Sequence, residues 1–429
     1  MKCSNPAARI RVATLVGGLL LAASAAAAPL TLDDYYAAAL KRSEVVATQS
    51  ELIRQAEERY RQARGTLLPT VDAIATHTQI DDGAADTTAN PTRQRNSRIT
   101  ATQPLFRGFR EFASVRQTRA LIGAQGEDYR NARVQLFKDV AQNFYDVLAL
   151  EQELANLDEQ IRQHQQREKE LQDRVRIGRS RVGEVLTVQA TVGTLRAQIE
   201  SRRAELAAAR EALAFLSGLS ASTPLHDTET VPENPGTLDE YLARLELRPD
   251  VRATRQRLTA ARESISVARG AHLPSLDLVA NRYLERTGSL RDVEWDVQLA
   301  LTLPLYAGGG TQSRVREAVS QGTQAELSAS QVRRQAEQEI RALHQGVFID
   351  HGQLDALEKA TDATRKNYEA QQRDYRLGLV TNLDVLQALT AFQENQRALD
   401  RARYTAKLNY LRLQAAAVRR PMLPEEAAP

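Results

Sequence analysis

The side chains best suited to catalysis or metal binding are sparse in this 429-residue chain. His344 and His351 lie seven positions apart with Asp350 beside them, but a metal site needs more ligands converging on one point. The glycine run 308–310 lacks the lysine and the serine or threonine of a phosphate-binding loop, so we expect a hinge there instead. No serine, histidine and aspartate stand in the sequence context of a known nucleophilic motif. We therefore predict that the chain is not an enzyme and binds no metal or cofactor.

Charge and hydropathy narrow the class of protein further. The formal net charge is +3, and the only charged residues in segment 1–28 are Lys2, Arg9 and Arg11, so the remainder is neutral and predicts no nucleic-acid partner. With 42% hydrophobic residues the chain is too apolar for a disordered tail. No stretch after residue 30 approaches the roughly 20 apolar residues of a membrane-spanning helix.

Residues 1–28 have the layout of a cleaved signal peptide. A positive start is followed by a short apolar run and a small-residue end. A short membrane anchor is the alternative, which the length of the run disfavours. Cys3 is the only cysteine and lies in this leader, so we expect an exported chain without disulfides.

Four sequence patterns recur in the same order in the two halves of the chain. They are RSEVVAT at 42–48 with RPDVRAT at 248–254, RGTLLPTVD at 64–72 with RGAHLPSLD at 269–277, PLFRG at 104–108 with PLYAG at 304–308, and IGRSRVGEVL at 177–186 with LGLVTNLDVL at 377–386. We predict an internal duplication, with segments 1–28 (signal peptide), 29–216 (first repeat), 217–240 (connector), 241–420 (second repeat) and 421–429 (C-terminal tail).

Each repeat is predicted to contain a helix, two strands and a long helical hairpin. Proline is absent between 104 and 224 and between 304 and 421. A helix from Phe112 to Arg176 would be about 100 Å long at about 1.5 Å per residue, and it would need helical neighbours along its length.

Apolar residues at alternating spacings of three and four supply those neighbours as antiparallel coiled coils. His164 and Glu168 interrupt the first series, and Gly178 and Gly378 stand where each helix should reverse. The predicted buried positions are Leu150, Leu154, Leu157, Ile161, Leu171 and Val175 before the first reversal, Val185, Val188, Val192, Leu195, Ile199, Leu206, Ala209 and Leu213 after it, and Val385, Ala388, Phe392, Leu399, Ala402, Ala406 and Leu413 in the second half.

The segment Val293 to Leu303 alternates strictly between apolar and polar residues, which predicts a strand with one face of each kind. Its partner begins near Leu276, and Thr70–Ile80 and Ser97–Phe106 are weaker copies. A soluble sandwich would bury the apolar face, whereas a membrane barrel would turn it to lipid. We favour the barrel because the chain carries an export signal and its coiled-coil helices leave little apolar surface to cover a sheet.

Four strands cannot close a membrane barrel, because known barrels begin at about eight strands. Open sheet edges are not tolerated in lipid, so the barrel interpretation requires an oligomer. Two copies would give eight strands and three would give 12. Trp295 on the apolar face is either an anchor at the membrane boundary or an ordinary packing residue.

The duplicated LLPTVD and HLPSLD segments, the QPLFRG and LPLYAGG strand exits and the IGRSRVGEVL and LGLVTNLDVL tips together resemble the outer membrane efflux protein (TolC) family. The resemblance extends from Leu32 to about Val418. It implies a mainly α fold whose hairpins form a periplasmic tunnel, with four strands per chain in a trimeric 12-stranded barrel in outer membrane lipid.

The resemblance also implies a passive exit duct of a tripartite efflux pump or type I secretion system. Such a duct docks a periplasmic adaptor (membrane fusion) protein and an inner-membrane pump or ABC transporter. The alternative is a soluble periplasmic coiled-coil adaptor or scaffold, which would need lipoyl-like and barrel domains around a single hairpin.

Site residues follow from the same resemblance. Tyr375 and Glu184 match an iris linkage that holds the tunnel closed, but the arginine partner falls on Val380, so the linkage must differ. Arg179 or Arg181 could substitute. The adaptor-docking turns match Ile177, Gly178, Arg179, Leu377, Gly378 and Leu379.

The acidic ring of the tunnel entrance is also matched in part. Asp384 falls on one ring position, and Gln387 occupies the second, which is therefore not acidic. Judged by its own sequence context, Asp384 could instead simply favour the start of a helix.

Overall fold

The computed structural model describes residues 29–81, 87, 89 and 91–420. The predicted signal peptide and C-terminal tail lie outside this range, as do residues 82–86, 88 and 90 between the first two strands. The segment boundaries predicted above stay predictions. The first half contains α1 (Leu32–Arg42), α2 (Glu44–Gly65), β1 (Thr70–Gln79), β2 (Arg93–Arg107), α3 (Arg110–Arg176) and α4 (Val182–Ser217). The second half contains α5 (Leu238–Leu242), a 3-10 turn (Leu245–Leu247), α6 (Pro249–Gly270), β3 (Ser275–Arg286), β4 (Trp295–Thr302), α7 (Gly310–Leu377) and α8 (Asn382–Ala416).

The long helices are confirmed. Helix α3 has 67 residues and α7 has 68, which makes each about 100 Å long. α7 begins at the end of the glycine run 308–310, the predicted hinge. We call α3 with α4 the first hairpin and α7 with α8 the second hairpin. Among the residues that the structure describes, no helix has the length and apolarity needed to cross a bilayer.

The predicted coiled-coil positions are largely buried in the hairpins. In α3 the buried series continues through two polar residues that the apolar pattern skips. His164 is 3% exposed and Arg167 is 6% exposed, whereas Glu168 is only half-buried. Polar residues do interrupt the apolar series here, and Arg167, one residue before Glu168, is the more buried of the two.

A larger core forms where α1 packs on the first hairpin and α8. Its aromatic centre includes Tyr36 against Phe137 and Tyr35 against Phe144, both with edge-to-face rings at 5.4 and 5.6 Å. The connector is fastened to this region by Asp227, which accepts hydrogen bonds from the Tyr145 hydroxyl and from Lys407 Nζ. This core fixes how the two hairpins lie beside each other well away from their tips.

The four strands form one antiparallel sheet in the order β1-β2-β3-β4, so the β2–β3 pair joins the two halves. The register places Leu276 opposite Leu301 and Leu278 opposite Leu299. These residues share the apolar face predicted from alternation. β4 is shorter than the predicted 293–303; after Leu303 comes Pro304, which has no amide hydrogen to extend the ladder.

The apolar face of the sheet is uncovered in the single chain. No residue of the four described strands is buried. Trp295 is 65% exposed, Leu299 61% and Leu301 69%. The helices of the chain therefore do not shield this face, as a soluble sandwich would require.

The opposite face of the sheet is polar and internally hydrogen-bonded. Asn281 Nδ2 donates to Asp296 Oδ1 and the Tyr283 hydroxyl donates to Asp296 Oδ2, both at 2.8 Å. Arg107 pairs with Asp277 at 2.9 Å. A sheet with one uncovered apolar face and one networked polar face suits a wall between lipid and water.

Candidate functional site at the hairpin tips

Both hairpins reverse at the predicted glycines. Gly178 and Gly378 have φ of 72° and 79°, a conformation that side chains other than glycine rarely adopt. Beyond them, the Arg179 amide donates to the Arg174 carbonyl at 2.7 Å and the Leu379 amide donates to the Asp374 carbonyl at 3.0 Å. The duplicated sequence thus produces the same helix end twice.

The residues predicted to dock an adaptor lie at the surface of these turns. Ile177 is 66% exposed, Leu377 74% and Leu379 71%, and Arg179 is exposed as well. Aliphatic side chains at the ends of helices are available for contact with another protein. Their docking role stays a prediction.

Asp384 forms a capping box at the start of α8. Its carboxylate accepts from the Thr381 hydroxyl at 2.6 Å and from the Thr381 amide at 2.8 Å, while the Thr381 hydroxyl accepts from the Asp384 amide. These hydrogen bonds, the hydroxyl one first, lower the pKa of Asp384 below its ordinary value. In one chain Asp384 has the helix-start role, and the carboxylate stays ionised for any further role in a ring.

Tyr375 is buried between the two hairpins rather than linked through its hydroxyl. It lies in an apolar cluster with Leu171 of the first hairpin and Val385 of the second. The guanidinium of Arg167 stacks on its ring at 3.9 Å from the centroid, and that of Arg174 at 4.2 Å. The ring of Tyr375 therefore makes cation–π contacts with two guanidinium groups of α3.

Arg167 connects the hairpins directly. Its Nε and Nη2 donate to the Asn382 side-chain oxygen at 2.9 and 2.7 Å, and its Nη1 pairs with Glu170 at 3.1 Å. Asn382 is itself only 6% exposed. We call Arg167, Tyr375 and Asn382 the Arg167 cluster. It links the inside of α3 to the end of α7 and the start of α8.

The single chain shows where the residues of the predicted iris linkage lie, and the linkage itself stays a prediction. The Glu184 carboxylate accepts from the Ser180 hydroxyl at 2.8 Å, within its own tip, and not from Tyr375. Val380 packs with the apolar cluster. Arg179 and Arg181 are exposed, and in one chain the ring of Tyr375 is occupied by other guanidiniums. Whether either arginine replaces the missing one stays a prediction.

Sequence analysis missed Arg167 although a signal was present. Leu157, His164 and Leu171 are spaced by seven, and a step of three from His164 leads to Arg167 rather than Glu168. An arginine is not an expected core residue, so the apolar pattern passed over it.

Further polar contacts join the hairpins above the tips. Gln393 donates to the Gln163 side chain at 2.9 Å, and Asn156 donates to Asp400 at 2.9 Å. His164 lies next to Gln163 in α3, and its Nδ1 is buried without a hydrogen-bond partner in the described structure. Burial lowers the pKa of His164, and a hydrogen bond with Gln393 opposes this in part.

Gln387 is exposed on α8 near these contacts. The two histidines considered for metal binding lie elsewhere and fasten the connector: a ring nitrogen of His344 is 3.0 Å from the Gly236 carbonyl, and one of His351 is 2.9 Å from the Pro232 carbonyl. Both histidines belong to α7 and hydrogen-bond to the connector.

The chain is similar in sequence to one known protein family. The family model for outer membrane efflux proteins matches residues 35–219 and 242–417. This chain belongs to that family. The two matched segments follow the duplicated halves, and the family consists of channel proteins rather than enzymes.

Named relatives agree with this assignment. The chain is 24% identical over 378 residues to the outer membrane protein TolC of Escherichia coli, covering 84% of this chain and 76% of that protein. It is 25% identical over 170 residues to the alkaline protease secretion protein AprF of Pseudomonas aeruginosa, covering 38% of this chain and 35% of that protein.

A solved structure shows the same fold. The outer membrane protein VceC of Vibrio cholerae superposes with a TM-score of 0.80 at 20% identity, covering 90% of this chain and 95% of that chain. The predicted fold class and family are confirmed, and the chain is an outer membrane efflux or secretion channel.

Proposed function

We propose that three copies of this chain form one exit duct across the outer membrane and the periplasm. The observation that carries the proposal is the uncovered apolar face of a sheet with two open edges, β1 and β4. Strand edges in lipid must be paired, so β4 of one copy would pair with β1 of the next. Three copies of four strands supply a 12-stranded wall.

The polar face of the sheet would then line a water-filled passage. The ion pair of Arg107 with Asp277 and the hydrogen bonds around Asp296 satisfy the polar groups of this face without burying them. The hairpins would extend the passage into the periplasm by about the 100 Å length of α3 and α7.

The tips would close the passage at rest. The Arg167 cluster and the apolar cluster around Tyr375 hold the second hairpin against the first in each copy. Three Asp384 carboxylates near one axis would favour cations in the constricted entrance. Opening would require the hairpins of each copy to move apart at the tip, where the Arg167 cluster must break.

The duct would act passively with two partners. A periplasmic adaptor would dock on the turns at Gly178 and Gly378, and an inner-membrane pump or ABC transporter would supply the energy. The similarity to a protein named for protease secretion keeps type I secretion beside drug or ion efflux as the process served. Residues 1–28 would direct export and be removed.

Fractionation and cross-linking test the proposal. We expect a heat-modifiable trimer in outer membrane fractions, and cross-links from cysteines introduced at the tip turns to a periplasmic adaptor of the same organism. Recovery of a monomer only from the soluble periplasm would contradict the duct and support the soluble adaptor instead.

A further inference from the structure

The two tip turns share one backbone shape but differ in charge. We call residues 177–183 the first tip turn and 377–383 the second tip turn. The first, IGRSRVG, contains two arginines and no acidic residue, whereas the second, LGLVTNL, contains no charged residue. Both reverse at a glycine with positive φ, of 72° and 79°. The two turns therefore differ in what they can bind rather than in how they fold.

The arginines of the first tip turn are not used within the chain. Arg179 and Arg181 are exposed, and in the described part of the chain neither guanidinium has an ion pair or hydrogen bond. The nearby basic residues do have partners: Arg174 stacks on Tyr375, and Arg176 pairs with Asp173 at 3.2 Å. Two unpaired cations thus stand beside the exposed Ile177.

The second tip turn presents leucines instead. Leu377, Leu379 and Leu383 are 74%, 71% and 63% exposed. Its one polar cap, Thr381, is hydrogen-bonded to Asp384 within α8. Contact with this turn would be stabilised by the burial of apolar surface, and that stabilisation is insensitive to moderate salt.

We propose that the first tip turn docks on a carboxylate-bearing surface of the periplasmic adaptor through Arg179 and Arg181, while the second tip turn docks on an apolar surface of the same adaptor. This inference rests on the proposed function. Anionic lipid of the membrane that holds the strands is too distant to be the occupant, because α3 separates the turn from β2 by about 100 Å.

The two contacts should differ in kinetics. Charge complementarity at an interface raises the association rate and makes it depend on salt. Buried apolar contacts act mainly on the dissociation rate. Substitutions in the two turns should therefore change different rate constants.

The experiment measures adaptor binding to the full trimer in lipid nanodiscs by biolayer interferometry. The adaptor is a periplasmic adaptor of the same organism. Measurements at about 0.05 M and about 0.5 M NaCl differ about threefold in Debye length. Wild-type association should slow at the higher salt.

Two variants test the first tip turn. Arg179→Glu with Arg181→Glu should lower the association rate about 10- to 100-fold at low salt. Arg179→Leu with Arg181→Thr copies the second tip turn, whose backbone already accepts these residues, and should abolish the salt dependence. Leu377→Ser with Leu379→Ser should speed dissociation and leave the salt dependence unchanged.

The matched control is Arg196→Glu with Arg203→Glu, two exposed arginines of α4 outside the tip. This control should bind as wild type does. Every variant is first shown to form the heat-modifiable trimer. Unchanged association rate and salt dependence in both Arg179–Arg181 variants would overturn the inference while the proposed function stands. A wild-type trimer that does not bind the adaptor at either salt would overturn both.

Discussion

Replacing Arg167 with alanine should release the two hairpins of each copy from one another. The side chain is 7% exposed, and it contributes two hydrogen bonds to Asn382 and one stacked contact with Tyr375. Removing it also leaves the buried Asn382 oxygen without its donor. Arg174 would still stack on Tyr375, but no other side chain in the described tip region donates to the Asn382 oxygen, so the substitution should act on the contact between hairpins.

The magnitude follows from these contacts. A hydrogen bond from a charged group contributes about 1.5–3 kcal/mol, and a desolvated cation–π contact contributes about 2 kcal/mol. The arginine also loses hydration when it is buried, and the two terms are not additive. We take about 3 kcal/mol for the whole side chain, which shifts the equilibrium between closed and separated tips about 100-fold per copy.

The assay is single-channel conductance in planar bilayers. Arg167→Ala should raise the fraction of time in the high-conductance state by up to about two orders of magnitude. Arg167→Lys should be intermediate, because an ammonium keeps the charge but not the planar fork. Arg162→Ala is the matched control: Arg162 lies on the same helix, is 68% exposed and pairs only with Glu159 three positions away, so it should change nothing measurable.

Variants of Tyr375 separate the contact with its ring from a contact with its hydroxyl. Tyr375→Phe should gate as wild type does, whereas Tyr375→Leu should resemble Arg167→Ala. Wild-type gating in Arg167→Ala trimers of normal stability would refute the assignment of closure to the Arg167 cluster.

Three other substitutions test separate parts of the account. Asp384→Asn should lower the cation preference and weaken block by divalent cations, and unchanged selectivity in the variant would exclude a ring there. Leu299→Arg places a charge on the lipid side of the sheet and should destabilise the inserted protein by about 2–4 kcal/mol, which reduces the amount of heat-modifiable trimer. The neighbouring Gln298→Arg, on the polar face, should be tolerated. Burial lowers the pKa of His164, so below about pH 6.5 its imidazole binds a proton more readily when exposed than when packed between the hairpins. The packing of the hairpins around His164 should therefore weaken as the pH falls. His164→Gln should flatten this pH dependence of channel opening, and an equally steep profile would contradict it.

Much of the fold could be predicted because its signals are local. Absence of proline and spacings of three and four predicted the long helices, and strict alternation predicted β4. The end of β4 differed because a proline follows Leu303. The position of Arg167 could have been found from the spacing of His164 and Leu171, but not its partner, since Asn382 is 215 positions away and only the packing of the hairpins brings them together.

The roles assigned by resemblance were harder to predict. Matching Glu184 to a linkage residue identifies its place in the sequence but not its hydrogen-bond partner, which proved to be Ser180. Likewise, Asp384 occupies the expected position, yet within one chain its carboxylate is hydrogen-bonded in the cap at the start of α8. A side chain's contacts depend on its neighbours in space, which a match of sequence positions does not give.

Tryptophan fluorescence tests the central claim most directly. Trp295 is the only tryptophan of the chain and lies 65% exposed on the uncovered face of the sheet. In the reconstituted protein, bromine on lipid acyl chains should quench its emission strongly, and aqueous acrylamide should quench it little. Strong quenching by acrylamide with none by brominated lipid would contradict a shared wall in contact with the bilayer.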